Sequence, residues 1–376
     1  MMRAKTCSPS RLLVNGLLLG ALAACDAPHA DVTRLRVPEG FAIHVYAEGV
    51  ENARQLAVGP EGLVFVGSRS AGNVYALVDA DGDHRAEEVI VVARDLEMPS
   101  GVAYRDGALY VAALDRVLRF PDIAARYRQQ PTPEVVYDRL PDDTHHGWKY
   151  LAFAPDGSLF VPVGAPCNIC LEPAPYASIL RFPPGGGEPG VFASGVRNSV
   201  GLAFHPDTGD LWFTDNGRDW LGDDLPSCEL NRAPAPGLHF GFPFRHGRAV
   251  PDPDYGGQVP AGQAFTPPAL ELGAHVAPVG LLFHRHAAWP EPYRRNLFIA
   301  EHGSWNRSRK SGYRVVRVVL DESGSEVVAH EPFVTGWLEG ETAWGRPADL
   351  AELPDGSVLI ADDGADRVYR LYHRAE

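Results

Sequence analysis

One arrangement of apolar and polar positions recurs along the chain. An apolar stretch is followed by a turn of the Pro-Asp-Gly type and then by a strand-like run of alternating residues. In such a turn Pro presets φ, Asp can bond its own backbone, and Gly takes the positive φ that closes the hairpin. Each copy therefore predicts a β-hairpin. The six copies, of which the fifth is degenerate, occur at residues 58–66, 104–111, 153–161, 204–212, 289–299 and 353–360.

The spacing of these copies predicts the architecture. About 45–60 residues per four-stranded unit is typical of propeller blades, and no stretch of comparable strength has the pattern of an amphipathic helix. We therefore expect an all-β fold over residues 37–376, a six-bladed β-propeller of four-stranded antiparallel blades. An open ring would expose strand edges at its end blades. Residues 41–46 are therefore expected to pair into the final blade, so that N- and C-terminal strands close the ring.

The N-terminal residues have the pattern of an export signal. Basic residues precede an apolar run at residues 12–21 that is short for a membrane span. The Leu-Ala-Ala-Cys sequence at residues 22–25 resembles the lipobox of bacterial lipoproteins, which implies cleavage before Cys25 and its lipidation. An ordinary signal peptide cleaved nearby is the alternative. Either alternative predicts export.

This pattern also divides the chain. Residues 1–24 are expected to be a lipoprotein-type signal peptide, residues 25–36 a tether, and residues 37–376 the propeller. We expect the mature protein in the periplasm, attached to a bacterial membrane only through its lipid anchor.

Charge and cysteine usage restrict the chemistry. The formal net charge of −14 argues against a nucleic-acid partner, and an anionic ligand would need locally concentrated Arg and Lys. In an oxidising compartment Cys167 and Cys170 could close a small disulfide, which would leave Cys228 over. Residue 171 is Leu rather than the His of a c-type haem site, and a zinc ribbon would need a second cysteine pair.

Three loops that each precede a repeat carry basic side chains. The first contains His145 and His146, which could be metal ligands, general bases or a hydrogen-bonded loop pair. Arg197 in the second could pair with a ligand carboxylate or form a salt bridge between blades. Arg346 stands in the third. Because equivalent loops of a propeller converge on its axis, we predict one axial pocket lined by all three.

A fourth segment, residues 216–225, is acidic, rich in glycine and extended, and it opens a long Pro/Gly-rich excursion between Gly217 and Pro278. Long ordered loops usually carry function. Oxygen-rich loops suit Ca²⁺, although this one lacks the EF-hand pattern. A solvated acidic loop is the alternative.

The order of these segments resembles that of a known family. His-His-Gly at residues 145–147, followed by residues 195–202, 215–219 and 229–231, is similar to the soluble quinoprotein glucose/sorbosone dehydrogenases. The similarity runs from about residue 37 to the C-terminus, and residues 164–170 most resemble the sorbosone-dehydrogenase-like branch. The family is a six-bladed propeller that binds pyrroloquinoline quinone (PQQ) with Ca²⁺.

The resemblance implies roles for individual residues. His146 falls on the catalytic base, and a bound quinone is implied for the positions Arg197, Asn198, Lys310, Arg307 and Arg346. Calcium is implied for the backbone oxygens of Gly222 and Asp223, with Glu229 as an acid near them. Two positions depart from the family. Ala348 replaces a second basic residue, a role that Arg307 could share, and Cys228 stands where an acid or small polar residue is expected.

The function implied is oxidation of an aldose sugar or related alcohol or aldehyde. Hydride would move to Ca²⁺-bound PQQ, with His146 as general base and a periplasmic cytochrome or quinone as electron acceptor. One alternative is a calcium-dependent lactonase, which would bind metal through axial Glu, Asn and Asp side chains and need no cationic cluster. The other is a non-catalytic, lipid-anchored propeller that recognises a peptide or glycan.

Overall fold

The computed structural model describes residues 32–374. Within that range the chain forms 29 β-strands and one short α-helix, α1 (Ile123–Arg126). None of the described helices is long and apolar enough to cross a membrane. Single turns of 3-10 helix occur at Val32–Arg34, Pro60–Gly62, Tyr127–Gln129, Gly256–Gln258 and Glu291–Tyr293. The predicted signal peptide and Cys25 lie outside the described residues.

The strands form six blades around a ring. The chain begins with β1 (Phe41–Glu48), which belongs to the last blade. Blade 1 contains β2 (Ala53–Val58), β3 (Val64–Ser68), β4 (Val74–Val78) and β5 (Glu88–Ala93). Blade 2 contains β6 (Gly101–Arg105), β7 (Ala108–Ala112), β8 (Val117–Phe120) and β9 (Glu134–Tyr137). Blade 3 contains β10 (Ala152–Phe153), β11 (Leu159–Val163), β12 (Ser178–Phe182) and β13 (Gly190–Ser194).

The second half of the chain continues in the same order. Blade 4 contains β14 (Leu202–Phe204), β15 (Leu211–Asp215), β16 (Ser227–Ala233) and, after β17 (Leu238–His239), β18 (Arg245–His246) and β19 (Val250–Pro251), the strand β20 (Leu270–Ala274). Blade 5 contains β21 (Pro278–Phe283), β22 (Leu297–Glu301), β23 (Arg314–Leu320) and β24 (Val327–Val334). After the hairpin of β25 (Leu338–Glu339) and β26 (Thr342–Ala343), blade 6 contains β27 (Pro347–Glu352), β28 (Val358–Asp362) and β29 (Arg367–His373).

Blade 3 gains a fifth strand, because β17 pairs parallel to β13. The hairpin of β18 and β19 lies in the same connection. The segment predicted as an excursion from Gly217 to Pro278 therefore contains two blade strands, β16 and β20. The buried polar residues Glu229 and Asn231 interrupt the apolar pattern of β16 and hide it in the sequence.

The ring closes as the sequence predicts. Strand β1 pairs antiparallel with β29, with Phe41 opposite His373 and Val45 opposite Tyr369. The innermost strand of each blade contacts that of the next, and β27 contacts β2. The six-bladed propeller closed by N- and C-terminal strands is thus confirmed.

The core lies between the blades. The second strand of five blades is buried along its whole length, as in β11 and β15. Each blade packs on both faces against neighbours, so these strands carry continuous apolar runs where alternation was expected. Between blades 1 and 2, for example, Phe65 packs with Leu109 and Val111.

The propeller has two different faces. The hairpin turns between the first and second strands lie on one face, where Gly157 and Gly356 have φ of 91° and 82°, as the repeat predicts. Because the strands are antiparallel, the opposite face carries two other kinds of loop. One kind connects neighbouring blades and precedes a first strand, and the other follows a second strand. The candidate site lies among these loops.

Candidate functional site

Loops from around the ring line a cavity of about 240 Å³. Some of its residues precede a first strand, as His146, Arg197 and Arg346 do. Others follow a second strand, as Arg69 and His302 do. The three predicted entry loops therefore converge on one pocket.

His146 is held as a neutral base. Its Nδ1 lies 2.8 Å from the carbonyl oxygen of Ala165, which can only accept, so Nδ1 donates and Nε2 remains an acceptor. Burial, followed by the charges of Arg197 and His145, holds the pKa of His146 well below 6.5. Gly164 makes room for this placement, because a Cβ there would lie 2.6 Å from the His146 Cβ.

Arg197 is buried and fixed by backbone and amide oxygens. Its Nε donates to the Asn168 carbonyl at 2.9 Å, Nη2 to the Asn168 Oδ1 at 2.8 Å and Nη1 to the Asn216 carbonyl at 3.0 Å. The Asp219 carboxylate lies 3.4 Å from Nη2. This arginine is thus oriented before any ligand binds.

The predicted disulfide supports the segment that holds Arg197. Cys167 and Cys170 are bonded, and Asn168 lies in the small loop that they close. Cys228 is the free cysteine that remains within the described residues. It is buried and lines the cavity, and burial raises the pKa of its thiol to about 11.

Two further arginines lack an acidic partner. Arg346 donates through Nε to the His302 carbonyl at 3.0 Å and through Nη2 to the Gly303 carbonyl. The Arg69 guanidinium lies over Trp148, with 5.2 Å between Cζ and the ring centroid. Among residues 32–374, no carboxylate lies within 4.0 Å of either guanidinium. Each can therefore accept an anion.

Beside these groups, Asp363 joins His302 to Arg54. His302 Nε2 lies 2.6 Å from one carboxylate oxygen and Arg54 Nη1 lies 3.0 Å from the other. Burial lowers the pKa of His302 to about 4, although Asp363 opposes the shift. Burial alone would raise the pKa of Asp363, but His302 and Arg54 hold it well below its usual range. His302 is therefore neutral and donates to an ionised carboxylate.

The donor set fits a polycarboxylate ligand. Asp363 balances Arg54 and Asp219 balances Arg197, which leaves Arg69 and Arg346 as excess positive charge in a protein of net charge −14. The buried Asn198 Oδ1, also in the cavity wall, has no hydrogen-bond partner within the described part of the chain. Such a partnerless group is typical of a ligand site.

The residues predicted for calcium are not gathered in the axial cavity. The Gly222 carbonyl accepts from His275 Nε2 at 2.8 Å and the Asp223 carbonyl from Arg307 Nε at 3.0 Å. Neither Gly222 nor Asp223 lines the cavity of Glu229, a separate space of about 10 Å³.

That smaller cavity has a different donor set. Burial raises the pKa of Glu229 to about 8 and that of Asp215 to about 6. Gly217 lines both this cavity and the axial one. Two buried carboxylates suit a hard cation such as Ca²⁺, and Arg197 lines the same cavity as a positive charge.

Lys310 and Arg307 lie outside the axial cavity. Lys310 lines an adjoining cavity together with Trp305 and Arg346, and its Nζ donates to the Glu341 carbonyl at 2.6 Å. Arg307 forms an ion pair of 3.0 Å with Asp224. Their roles toward a cofactor stay predictions.

Three further residues of the cavity wall, Arg54, Arg69 and His302, are not predicted by the sequence motifs. Arg54 lies within β2 itself, whereas Arg197 and Arg346 lie in loops before their first strands, so a rule based on those loops does not include it. Arg69 and His302 follow second strands, and the hairpin repeat marks the start of those strands rather than the loop behind them.

Comparisons with known proteins agree with this architecture. A family model described as TrAA12-like matches residues 258–335. An uncharacterised protein of Borreliella burgdorferi is 31% identical over 351 residues, which are 90% of this chain and 91% of that protein.

Solved structures share the fold at lower identity. The calcium structure of a Trichoderma reesei carbohydrate-active enzyme of family AA12 is 18% identical with a TM-score of 0.75, covering 90% of this chain and 97% of that one. The holo form of the pyranose dehydrogenase PQQ domain from Coprinopsis cinerea is 17% identical with a TM-score of 0.73, covering 90% and 97%. The chain therefore belongs to one family with the Borreliella burgdorferi protein, and the resemblance to the quinoprotein sugar dehydrogenases that its sequence predicts is confirmed in its fold.

Proposed function

We propose that this protein oxidises an aldose sugar or a related alcohol or aldehyde with PQQ as cofactor. The observation that carries the proposal is the cavity itself. Arg54, Arg69, Arg197 and Arg346 surround it together with the neutral His146, although the protein as a whole is strongly acidic. The structural neighbours include a PQQ domain of a pyranose dehydrogenase.

The arginines would hold the carboxylates of the cofactor, which when bound supplies the hydride acceptor. Arg69 and Arg346 would make the principal ion pairs, because neither has an acidic partner in the described chain. Arg197 is already oriented by Asn168, so it loses little freedom on binding. The Asn198 Oδ1 would gain the hydrogen bond that it lacks.

His146 would take the proton of the substrate hydroxyl. Its Nε2 carries no proton, because Nδ1 donates to Ala165. The low pKa keeps the ring neutral at neutral pH, so the base is in its active form. A positioned general base typically contributes about 10²–10⁴-fold to the rate.

Calcium would be held beside the axial cavity, where as a Lewis acid it polarises a carbonyl oxygen. Glu229 and Asp215 supply the carboxylates. The carbonyls of Gly222 and Asp223, which the family resemblance implies as ligands, accept hydrogen bonds from His275 and Arg307. The carboxylates of Glu229 and Asp215 likewise accept hydrogen bonds, so calcium would displace donors at either place. We propose Glu229 and Asp215 as the carboxylate ligands, because of these four residues only they line the cavity beside the axial one.

The proposed function includes a location and an electron acceptor. Residues 22–25 support lipid attachment at Cys25 in the periplasm, where a cytochrome or quinone would receive the electrons. Cys25→Ser should release the protein from membranes or block its processing. An unchanged membrane fraction and an unchanged processed mass would contradict the anchor.

One experiment tests the activity directly. Purified protein without cofactor is titrated with PQQ and Ca²⁺, the quinone absorbance is followed, and oxidation of several aldoses is assayed with an artificial acceptor. We expect stoichiometric quinone binding that Arg346→Ala weakens. Arg128→Ala, which removes a surface arginine paired with Glu88, should change nothing.

Two outcomes would replace this proposal. Metal-dependent lactone hydrolysis without quinone would indicate the lactonase, and neither activity would indicate a binding propeller. The four arginines favour the dehydrogenase, because neither alternative needs them.

A further inference from the structure

Asp362 is a fully buried residue that ends β28, the second strand of blade 6. Its Oδ1 accepts the backbone N–H of Arg346 at 2.7 Å, of Gly364 at 3.0 Å and of Ala365 at 2.9 Å. Its Oδ2 accepts the hydroxyl proton of Tyr369 at 3.1 Å. Four donors therefore surround one buried carboxylate, which joins the loop before β27 to the loop after β28.

Two glycines allow this close arrangement. A Cβ at Gly345 would collide with the Asp362 Oδ2, and a Cβ at Gly364 would lie 3.0 Å from the Arg346 Cγ. The backbone before β27 thus lies directly against the carboxylate, and the aliphatic part of Arg346 lies against the loop after β28. The start of the Arg346 side chain is therefore placed by groups that Asp362 holds together.

The same arrangement occurs in blade 4. Asp215 ends β15, the second strand of that blade, and its carboxylate accepts the N–H of Arg197 at 2.8 Å and of Asn198 at 2.6 Å. Of the four arginines that line the axial cavity, Arg197 and Arg346 lie in loops that lead into a first strand. An aspartate thus ends the second strand in both of these blades.

The other blades differ at this position. Their second strands end in Ser68, Ala112, Val163 and Glu301. Glu301, the acid among them, forms an ion pair of 2.6 Å with Arg314 of the adjacent strand β23. The aspartate therefore accompanies the cavity arginine of its own blade and is not a general requirement of the propeller.

We infer that Asp362 is a positioning residue that holds Arg346 ready for a carboxylate of the bound cofactor. The inference rests on the proposed function and adds to it a residue outside the lining of the axial cavity. The carbonyls of His302 and Gly303 hold the guanidinium of Arg346, and Asp362 holds its backbone. A group that is fixed in advance loses less conformational freedom when its ligand binds.

The test uses two variants at Asp362 and a matched control. Asp362→Ala removes every acceptor, whereas Asp362→Asn keeps one oxygen for the three amides and should rescue most of the effect. Asp355→Asn is the control. Asp355 also accepts a backbone amide in blade 6, that of Ser357 at 3.0 Å, and it pairs with Arg370 at 2.6 Å, but it lies on the opposite face of the propeller.

The first readout needs no cofactor. Hydrogen exchange, measured by mass spectrometry on peptides that contain Arg346, should show that the Arg346 amide is protected in the wild type. This protection should be lost in Asp362→Ala and kept in Asp355→Asn. An unprotected amide in the wild type, or protection that survives in Asp362→Ala, would overturn the inference whether or not the protein binds quinone.

The second readout is the dissociation constant of PQQ, measured from the quinone absorbance. Asp362→Ala should raise this constant about tenfold, the lower end of the effect that outer partners of metal ligands have. Asp362→Asn and Asp355→Asn should stay near the wild type. An unchanged dissociation constant in Asp362→Ala would overturn the inference.

A double variant separates positioning from general stabilisation. If Asp362 acts through Arg346, Asp362→Ala should add nothing to the loss of PQQ affinity caused by Arg346→Ala, because the two residues then serve one contact. Losses that multiply would overturn the inference in favour of an indirect effect on the whole cavity. A wild type that binds no quinone would contradict the proposed function, and the exchange of the Arg346 amide would then decide by itself whether Asp362 fixes this loop.

Discussion

The axial cavity is lined by two histidines, His146 and His302, whose rings are held by different acceptors. His146 donates through Nδ1 to a carbonyl, whereas His302 donates through Nε2 to a carboxylate that it shares with Arg54. The carbonyl fixes the tautomer and raises the pKa of His146 less than burial lowers it. The carboxylate of Asp363, which His302 shares with Arg54, links these two residues of the cavity wall. The difference teaches that a low pKa alone does not identify the base, since both rings have one.

The largest expected effect comes from exchanging one histidine at a time. His146→Gln should lower kcat by at least about 10²-fold, because the general base is lost, while PQQ affinity stays near that of the wild type. His302→Gln should keep kcat at saturating quinone and weaken quinone binding. Steady-state assays with cofactor titration distinguish the two. The reverse pattern would move the base to His302.

The second effect concerns the shared carboxylate. Asp363→Asn leaves Arg54 buried without its counter-charge, which should cost about 3 kcal/mol in the free energy of unfolding. Urea unfolding measures it. Asp219→Asn is the matched control, because its ion pair with Arg197 is longer, at 3.4 Å, and Arg197 keeps its other partners. Equal losses of unfolding free energy in Asp363→Asn and Asp219→Asn would show that the two ion pairs contribute equally to stability.

The third effect is the pH dependence of stability. The unfolded chain protonates His302 near 6.5, whereas the folded protein does so at about 4. The contribution of His302 to the free energy of unfolding should therefore be fully present above pH 6.5 and decrease as the pH drops from 6.5 to 4. Urea midpoints over this range should decline less in His302→Gln. Because the pKa of His146 is also lowered, kcat should stay on its plateau at pH 6.5 and fall only below it.

The smallest effect concerns the support of Arg197. Replacing Cys167 and Cys170 by Ser opens a loop so short that the stability loss should be below about 2 kcal/mol. The loop nevertheless positions Asn168, so PQQ affinity should fall measurably while the melting temperature changes little. Reduction of the wild type with dithiothreitol should give the same result. A PQQ affinity unchanged in both the variant and the reduced protein would show that the disulfide is not needed to position Asn168.

Local chemistry explains what the sequence could predict. The hairpin turn at Gly157 follows from turn residues that act within a few positions. The sequence predicts Arg197 and Arg346 as pocket residues because each lies in the loop that leads into a repeat. The pair of His302 and Asp363 is separated by 61 residues and joins two blades, so only the ring brings it together.

Other features are not visible in the sequence, because buried polar residues or distant partners determine them. The sequence predicts an excursion where strand β16 lies, because Glu229 and Asn231 occupy buried positions where apolar residues are expected. The placement of Gly222 and Asp223 depended on partners in distant loops, His275 and Arg307, that no local pattern reveals.

The closing strand has a consequence for how the molecule folds. Strand β1 is made first and pairs with β29, which is made last. Nearby, the Asn52 amide and the Asp366 carboxylate, 314 residues apart, bond across the same closure. Contacts of such separation slow folding, and blade 6 cannot be completed until the last strand has emerged. Once formed, the closure should slow unfolding, because blade 6 cannot come apart without breaking the pairing between β1 and β29.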